Sequence, residues 1–98
     1  MSRPLVVRPE AESDSAEARD WYERQRPGLG GEFLTAVEDA FELIKASPEA
    51  YAVVYRDVRR VGLRRYPYIA YYRTTTDAVE VLAVLHASRD PRVWRSRA

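Results

Sequence analysis

Apolar positions along the chain follow two periods, and each predicts its own elements. The densest run is Val79-Glu80-Val81-Leu82-Ala83-Val84-Leu85-His86, where six of eight residues are aliphatic or alanine. A continuous run of that length predicts a strand covered on both faces, near the middle of a sheet. It falls well short of the roughly 20 apolar residues that a membrane-spanning helix needs. From Glu32 to Ser47 the period becomes helical. Phe33, Leu34, Val37, Ala40, Phe41 and Ile44 form one stripe, Glu32, Glu38, Asp39 and Glu42 take the other side, and Pro48 stops the helix. Glu10 to Gln25 predicts a second helix, with Glu10, Glu12, Asp14 and Glu17 crowding its first turns, where the helix dipole favours acids. It starts either at a capping-box variant of Asp14 with Glu17 or nearer Glu10. Trp21 and Tyr22 supply most of its apolar surface. They are expected to dock it on the core, with a free surface role as the alternative.

Arg26-Pro27-Gly28-Leu29-Gly30-Gly31 breaks the two helices apart and predicts a tight turn. It joins two helices and lacks the lysine and spacing of a phosphate-binding loop. The pair is therefore an antiparallel hairpin whose apolar stripes need a sheet to cover. Pro4 to Arg8 is a short strand ended by Pro9, and Ala52 to Tyr55 a short extended piece. Val58 to Leu63 alternates. Arg60, Gly62 and Arg64 lie on one side, and Arg59, Val61, Leu63 and Arg65 on the other, with Val58 out of phase. Tyr66-Pro67-Tyr68 bends the chain, since proline cannot donate to a ladder. Ile69 to Arg73 follows. Thr74 to Asp77 is a polar connection, and the Val79 run returns. Neighbouring strands with short links pair antiparallel. The expected fold is α+β: an N-terminal strand, an antiparallel helix hairpin, then a three-stranded antiparallel meander, with the hairpin packed on one sheet face. The pattern leaves the first strand's neighbour undecided. Arg92 to Ala98 is a short helix, a frayed arm, or both.

Ninety-eight residues suit one domain, 1–98, with a modest core. There is no cysteine and one histidine, so disulfides, thiolate chemistry and a Cys- or His-rich zinc site are excluded. No cofactor or metal is expected. The sequence from Met1 has no signal-peptide pattern, and cysteine usage fits the cytoplasm. Net charge is only +1, but it is divided: residues 1–55 carry six basic and eleven acidic side chains, residues 56–98 ten and four. GC-rich coding accounts for arginine over lysine. It does not account for the sidedness, which points to an anionic partner, nucleic acid or an acidic protein segment.

His86 has a side chain suited to acid–base work; Asp90 is either its partner, paired with Arg89 or Arg92, or a cap on the turn before Pro91. The competing reading is a strand-end histidine that holds its own loop. Arg59, Arg60, Arg64 and Arg65 lie on or beside one strand. With Arg89, Arg92, Arg95, Tyr66 and Trp94 they make a candidate target-binding set. Three readings are open: phosphate contact with base stacking, a protein-docking patch, or solvated charge.

The ordered segments resemble the RelE/ParE superfamily of toxins from bacterial type II toxin–antitoxin modules, most closely the ParE branch. The resemblance runs through Ala18-x-x-Trp21-Tyr22-Glu23, Pro27-Gly28-Leu29-Gly30 with Phe33-Leu34, and Ser47-Pro48. It continues through Val58-Arg59-Arg60, Leu63-x-x-Tyr66-Pro67-Tyr68, Tyr71-Tyr72, Val81 to His86, Arg89-Asp90-Pro91 and Trp94. It implies a βααβββ fold and a toxin held inactive by a cognate antitoxin in a hetero-oligomer, with no membrane role. ParE-type members act on DNA gyrase; RelE-type members enter the ribosome and cut mRNA. Under the second reading Arg59, Arg65, His86 and Arg89 would be catalytic. Arg89 matches an arginine after the last strand of that branch. Ile69 stands where it often has another arginine, and Trp94 where it has tyrosine. Tryptophan has no hydroxyl, and arginine stays protonated and makes a poor base. These departures favour a binding protein without a catalytic site over a nuclease. A third expectation is a non-toxic relative that only binds antitoxin.

Overall fold

A computed structural model of the chain describes residues 3–98. Met1 and Ser2, the start of the expected leaderless terminus, lie outside the described residues. In chain order the elements are β1 (Leu5–Val7), α1 (Pro9–Gln25), α2 (Leu29–Ala46), β2 (Val53–Tyr55), β3 (Val58–Gly62), β4 (Tyr68–Thr74), β5 (Val79–His86) and α3 (Pro91–Arg95). The strands form one sheet in the order β1-β5-β4-β3-β2. β1 runs parallel to β5, and every other pairing is antiparallel. The α+β architecture is the expected one, enlarged at both ends. The extended piece before Tyr55 joins as a fifth strand, and the basic tail folds as α3. No helix is long and apolar enough to cross a membrane among the described residues.

β5 has the bounds its apolar run predicts and is paired on both sides, although β4 holds the central place. Its burial does not follow simple alternation. Val79, Val81 and Val84 face the hairpin, while Leu82, Ala83 and Leu85 face the other way. The cause is a bulge: Tyr71 pairs with Ala83 but Tyr72 with Val81, leaving Leu82 extra. One added residue puts two neighbours on one face and reverses the phase beyond. Both faces therefore carry buried apolar side chains, and both are covered.

The hairpin covers the first face, α1 against β5 and α2 against β3. Gly30, Phe33, Val37, Ala40 and Ile44 are the buried stripe of α2, and Ala11, Ser15 and Ala18 that of α1. Tyr22 stacks on Phe33 with centroids 5.1 Å apart and meets Tyr66 and Tyr68 edge-on. Trp21 departs from the docking expectation: it is 50% exposed and touches Tyr22 edge-on at 5.1 Å. On a narrow helix–sheet contact only one of two adjacent aromatics can point inward.

Helix bounds also moved, for local reasons. Pro9 opens α1 rather than closing the strand, since its missing N–H is no loss at a first helical position. Asp14 is no cap; its carboxylate accepts from the Val84 amide at 3.0 Å. α2 starts at Leu29 and takes in Gly30 and Gly31. Its free amides are capped from α1: Glu23 accepts from Gly28 N at 3.0 Å and from Gly30 N at 2.9 Å. Val58 proves to be in phase with Arg60, buried on the face away from the hairpin.

Candidate functional site

The face away from the hairpin is built around α3. Asp90 caps that helix, accepting from Arg92 N at 2.9 Å, and Pro91 takes the first helical position. One turn later this delivers Trp94 onto the sheet. Its ring stacks on Tyr71, centroids 4.3 Å apart and planes at 13°, while Tyr55 meets it edge-on at 5.9 Å. Val58, Leu82, Ala83 and Leu85 complete a small second core. Trp94, expected as a target contact, is only 5% exposed. It nails the tail to the sheet.

Cations surround this core. The Arg95 guanidinium lies 4.9 Å from the Tyr55 ring centroid and 5.4 Å from that of Trp94, and Arg56 lies 5.1 Å from Tyr55. Arg56, Arg92 and Arg95 line one open depression of about 520 Å³ with Tyr55, Ser96 and Ala98. Arg60 is exposed on the same side of β3 as buried Val58 and sits close enough to Tyr71 to oppose the rise that burial causes in its hydroxyl pKa. Arg92 is not free: Nη2 donates to Asp90 Oδ2 at 2.6 Å. That bond, then the Arg92 amide, holds the Asp90 carboxyl below the usual range.

The other expected residues lie elsewhere. Arg59 points toward the hairpin side and donates through one nitrogen to the carbonyls of Glu49 and Tyr51, at 3.0 and 2.7 Å. It is fastened to the α2–β2 connection, not presented to a partner. Arg64 and Arg65 follow β3 in the bend, where Arg65 adopts φ 71°, and with Tyr66 they border a groove along Glu32, Thr35, Ala36 and Asp39 of α2. Arg89 lies beside the end of α1, in a second groove with Trp21, Tyr68 and His86. Ala87 N donates to Pro67 O at 2.8 Å, so the two arginine-bearing loops share one end of the sheet. His86 takes the loop-holding role: Nδ1 accepts from the Ser88 amide at 3.0 Å and lies 2.7 Å from its hydroxyl. Asp90, bound to Arg92, does not serve it.

The expected nine residues therefore divide among three places, and the α3 face keeps Arg60, Arg92, Trp94 and Arg95. Arg56 and Tyr55 were absent from the expected set. Their signal was an aromatic beside a cation, but only the turn geometry brings both onto α3. Among the described residues no group of three or more His, Cys, Asp or Glu is placed to hold a metal ion.

The chain is similar to known proteins. The family described as the ParE toxin of type II toxin–antitoxin systems, parDE, matches residues 5–91. "Toxin ParE2" of Mycobacterium tuberculosis, in two strains, is 33% identical over 92 residues, covering 93% of this chain and 88% of the relative. A solved structure described as the chromosomal ParDE TA system from P. aeruginosa superposes with a TM-score of 0.67 at 21% identity, over 87% of this chain and 96% of that one. That likeness carries the fold, and the family match and the mycobacterial relative carry the kinship. The chain belongs to the ParE toxin family of type II toxin–antitoxin systems.

Proposed function

We propose that this ParE-family protein, as a single toxin domain, inhibits DNA gyrase by binding and is neutralised by a cognate antitoxin in a hetero-oligomer. A cytoplasmic location goes with that reading. The observation that carries it is what His86 and Arg59 are doing. Both belong to the set a ribosome-dependent mRNA endonuclease would use, and both are engaged in holding the fold. What remains at the surface is cationic and suited to gripping a target, through Arg60, Arg92 and Arg95 on the α3 face and Arg64, Arg65, Tyr66 and Arg89 at the sheet end. The antitoxin is assigned to the hairpin. A groove of about 260 Å³ runs between the helices, floored by Ala16, Leu34, Val37 and Phe41 and rimmed by Glu12, Arg19 and Glu38. Its apolar floor suits an amphipathic segment that orders as it binds.

Purified protein is expected to inhibit gyrase supercoiling or trap cleaved DNA, and to leave mRNA whole on a translating ribosome. Cut mRNA with untouched gyrase would overturn the proposal in favour of the nuclease. Inactivity in both assays, with tight antitoxin binding, would mark a non-toxic relative. Any short acidic protein encoded beside this gene should be retained in a pull-down at micromolar concentration and should abolish inhibition.

A further inference from the structure

We propose that the α3 face grips the phosphate backbone of duplex DNA, a proposal that rests on the gyrase reading because it names what that face touches on an enzyme that holds DNA. Arg56, Arg60 and Arg95 are all exposed, and none of them has an ion-pair partner among the described residues. Arg56 and Arg95 both lie over the Tyr55 ring. A guanidinium that rests on an aromatic face keeps its N–H edges open, and those edges match phosphate oxygens. Arg56 is held there at a cost. It takes φ 52° in a two-residue hairpin turn, a conformation glycine favours.

The burial pattern separates nucleic acid from protein as the partner. Protein hot spots need an aromatic or apolar anchor that enters a pocket on the other side. Here Trp94 and Tyr71 are each 5% exposed and Val58 and Leu82 are fully buried, so the anchor-type side chains are used up inside. Single strands need open rings to stack on; the same burial removes Trp94 and Tyr71, and the half-buried Tyr55 ring already carries the Arg56 and Arg95 guanidinium groups. Phosphates need only placed cations, and contacts to them carry no base sequence. The face therefore suits duplex backbone, read without sequence preference. Arg92 contributes less, because Asp90 already holds it.

The test needs no gyrase. The whole chain is titrated onto a fluorescently labelled duplex of about 20 base pairs, from about 50 to 200 mM salt, and anisotropy is read. Three phosphate contacts give a slope of log affinity against log salt of about −3. Arg56→Gln with Arg95→Gln should flatten that slope to about −1 and weaken low-salt binding roughly tenfold or more. Arg56→Lys with Arg95→Lys should keep most of the binding, since lysine also binds phosphate as a point charge. Arg24→Gln with Lys45→Gln removes the same charge from the helices and should change neither quantity. Melting curves check that every variant folds. No binding to duplex, a salt-independent signal, or an equal loss in the helix control each overturns the proposal. So does capture of the chain by DNA-free gyrase through these same arginines without duplex binding; that result would leave the gyrase reading standing and make the partner an acidic protein surface. Duplex binding with the expected slope, alongside intact supercoiling, would uphold the DNA contact and remove the gyrase reading.

Discussion

Asp14 and Arg97, 83 residues apart, pair at 2.6 Å over the edge of β5 where β1 runs out. β1 serves Val79 to Val81, and Arg8 N still donates to Val81 O before the chain turns into α1. The next edge groups are taken by side chains, not by a strand. Arg97 Nη1 donates to Leu82 O at 3.1 Å, and Asp14 Oδ2 accepts from Val84 N at 3.0 Å. One ion pair therefore closes an open sheet edge and ties α1 to the tail that carries Trp94. Arg8 joins it, donating to Arg97 O at 3.2 Å.

Both side chains are largely buried, at 9% and 17% exposure, so removing one leaves the other charge stranded. Arg97→Ala should cost about 3 kcal/mol, or roughly 12–24 °C in Tm for a chain of this length. The double variant with Asp14→Asn should lose clearly less than the sum of the two single changes. Thermal denaturation of the four proteins decides it; strict additivity would mean the pair does not act as one unit.

The two glycines that open α2 should answer oppositely to alanine. A Cβ on Gly30 would lie 2.8 Å from the Arg19 carbonyl oxygen and 2.9 Å from Glu23 Oε1, while one on Gly31 would meet nothing within 4 Å. Gly30→Ala should destabilise by about 1–3 kcal/mol through overpacking against backbone. Gly31→Ala should stabilise by roughly 0.5–1 kcal/mol through helix propensity alone. Chemical denaturation midpoints that move in the same direction would refute the close approach of the helices at Gly30.

Glu23 gives the hairpin a dependence on acid. The amides of Gly28 and then Gly30 hold its carboxyl below the usual range, with a smaller contribution from nearby Arg26. A depressed folded pKa means the stabilisation is present above the unfolded value and is lost as pH falls through the folded one. Glu23→Gln should therefore melt below the parent at neutral pH, and the gap should close on acidification. A gap that stays constant down to low pH would show that the carboxylate charge is not what caps α2.

Tyr72 makes the complementary prediction in alkali. Its hydroxyl donates to Pro48 O at 2.6 Å inside the core, and burial pushes its pKa up to about 12. A raised folded pKa keeps its contribution intact below the unfolded value and removes it as pH rises through the folded one. Tyr72→Phe should cost about 1–2 kcal/mol at neutral pH, because the Pro48 carbonyl loses its donor. Between about pH 10 and 12 the parent should lose stability that the variant does not. Melting curves that fall in parallel over that range would place the alkaline sensitivity elsewhere.

Local patterns alone determined much of this protein. The β5 bounds, the α2 stripe and a break between the helices follow from residue type and spacing, because each depends on neighbours close in sequence, and loop holding was one of the two readings they left for His86. The order of segments was enough to point to the family. Tertiary structure decided the rest. The parallel place of β1, the bulge that turns Leu82 and Ala83 to one face, and the burial of Trp94 under its own cationic rim all need partners dozens of residues away. The same holds for the arginines. Sequence counted the positive charge in the second half, but only the fold could fasten Arg59 to backbone carbonyls and Arg97 to Asp14 while leaving Arg56, Arg60 and Arg95 in solvent. Whether a cation is available depends on what lies within a few ångströms of it, and linear spacing does not encode that distance.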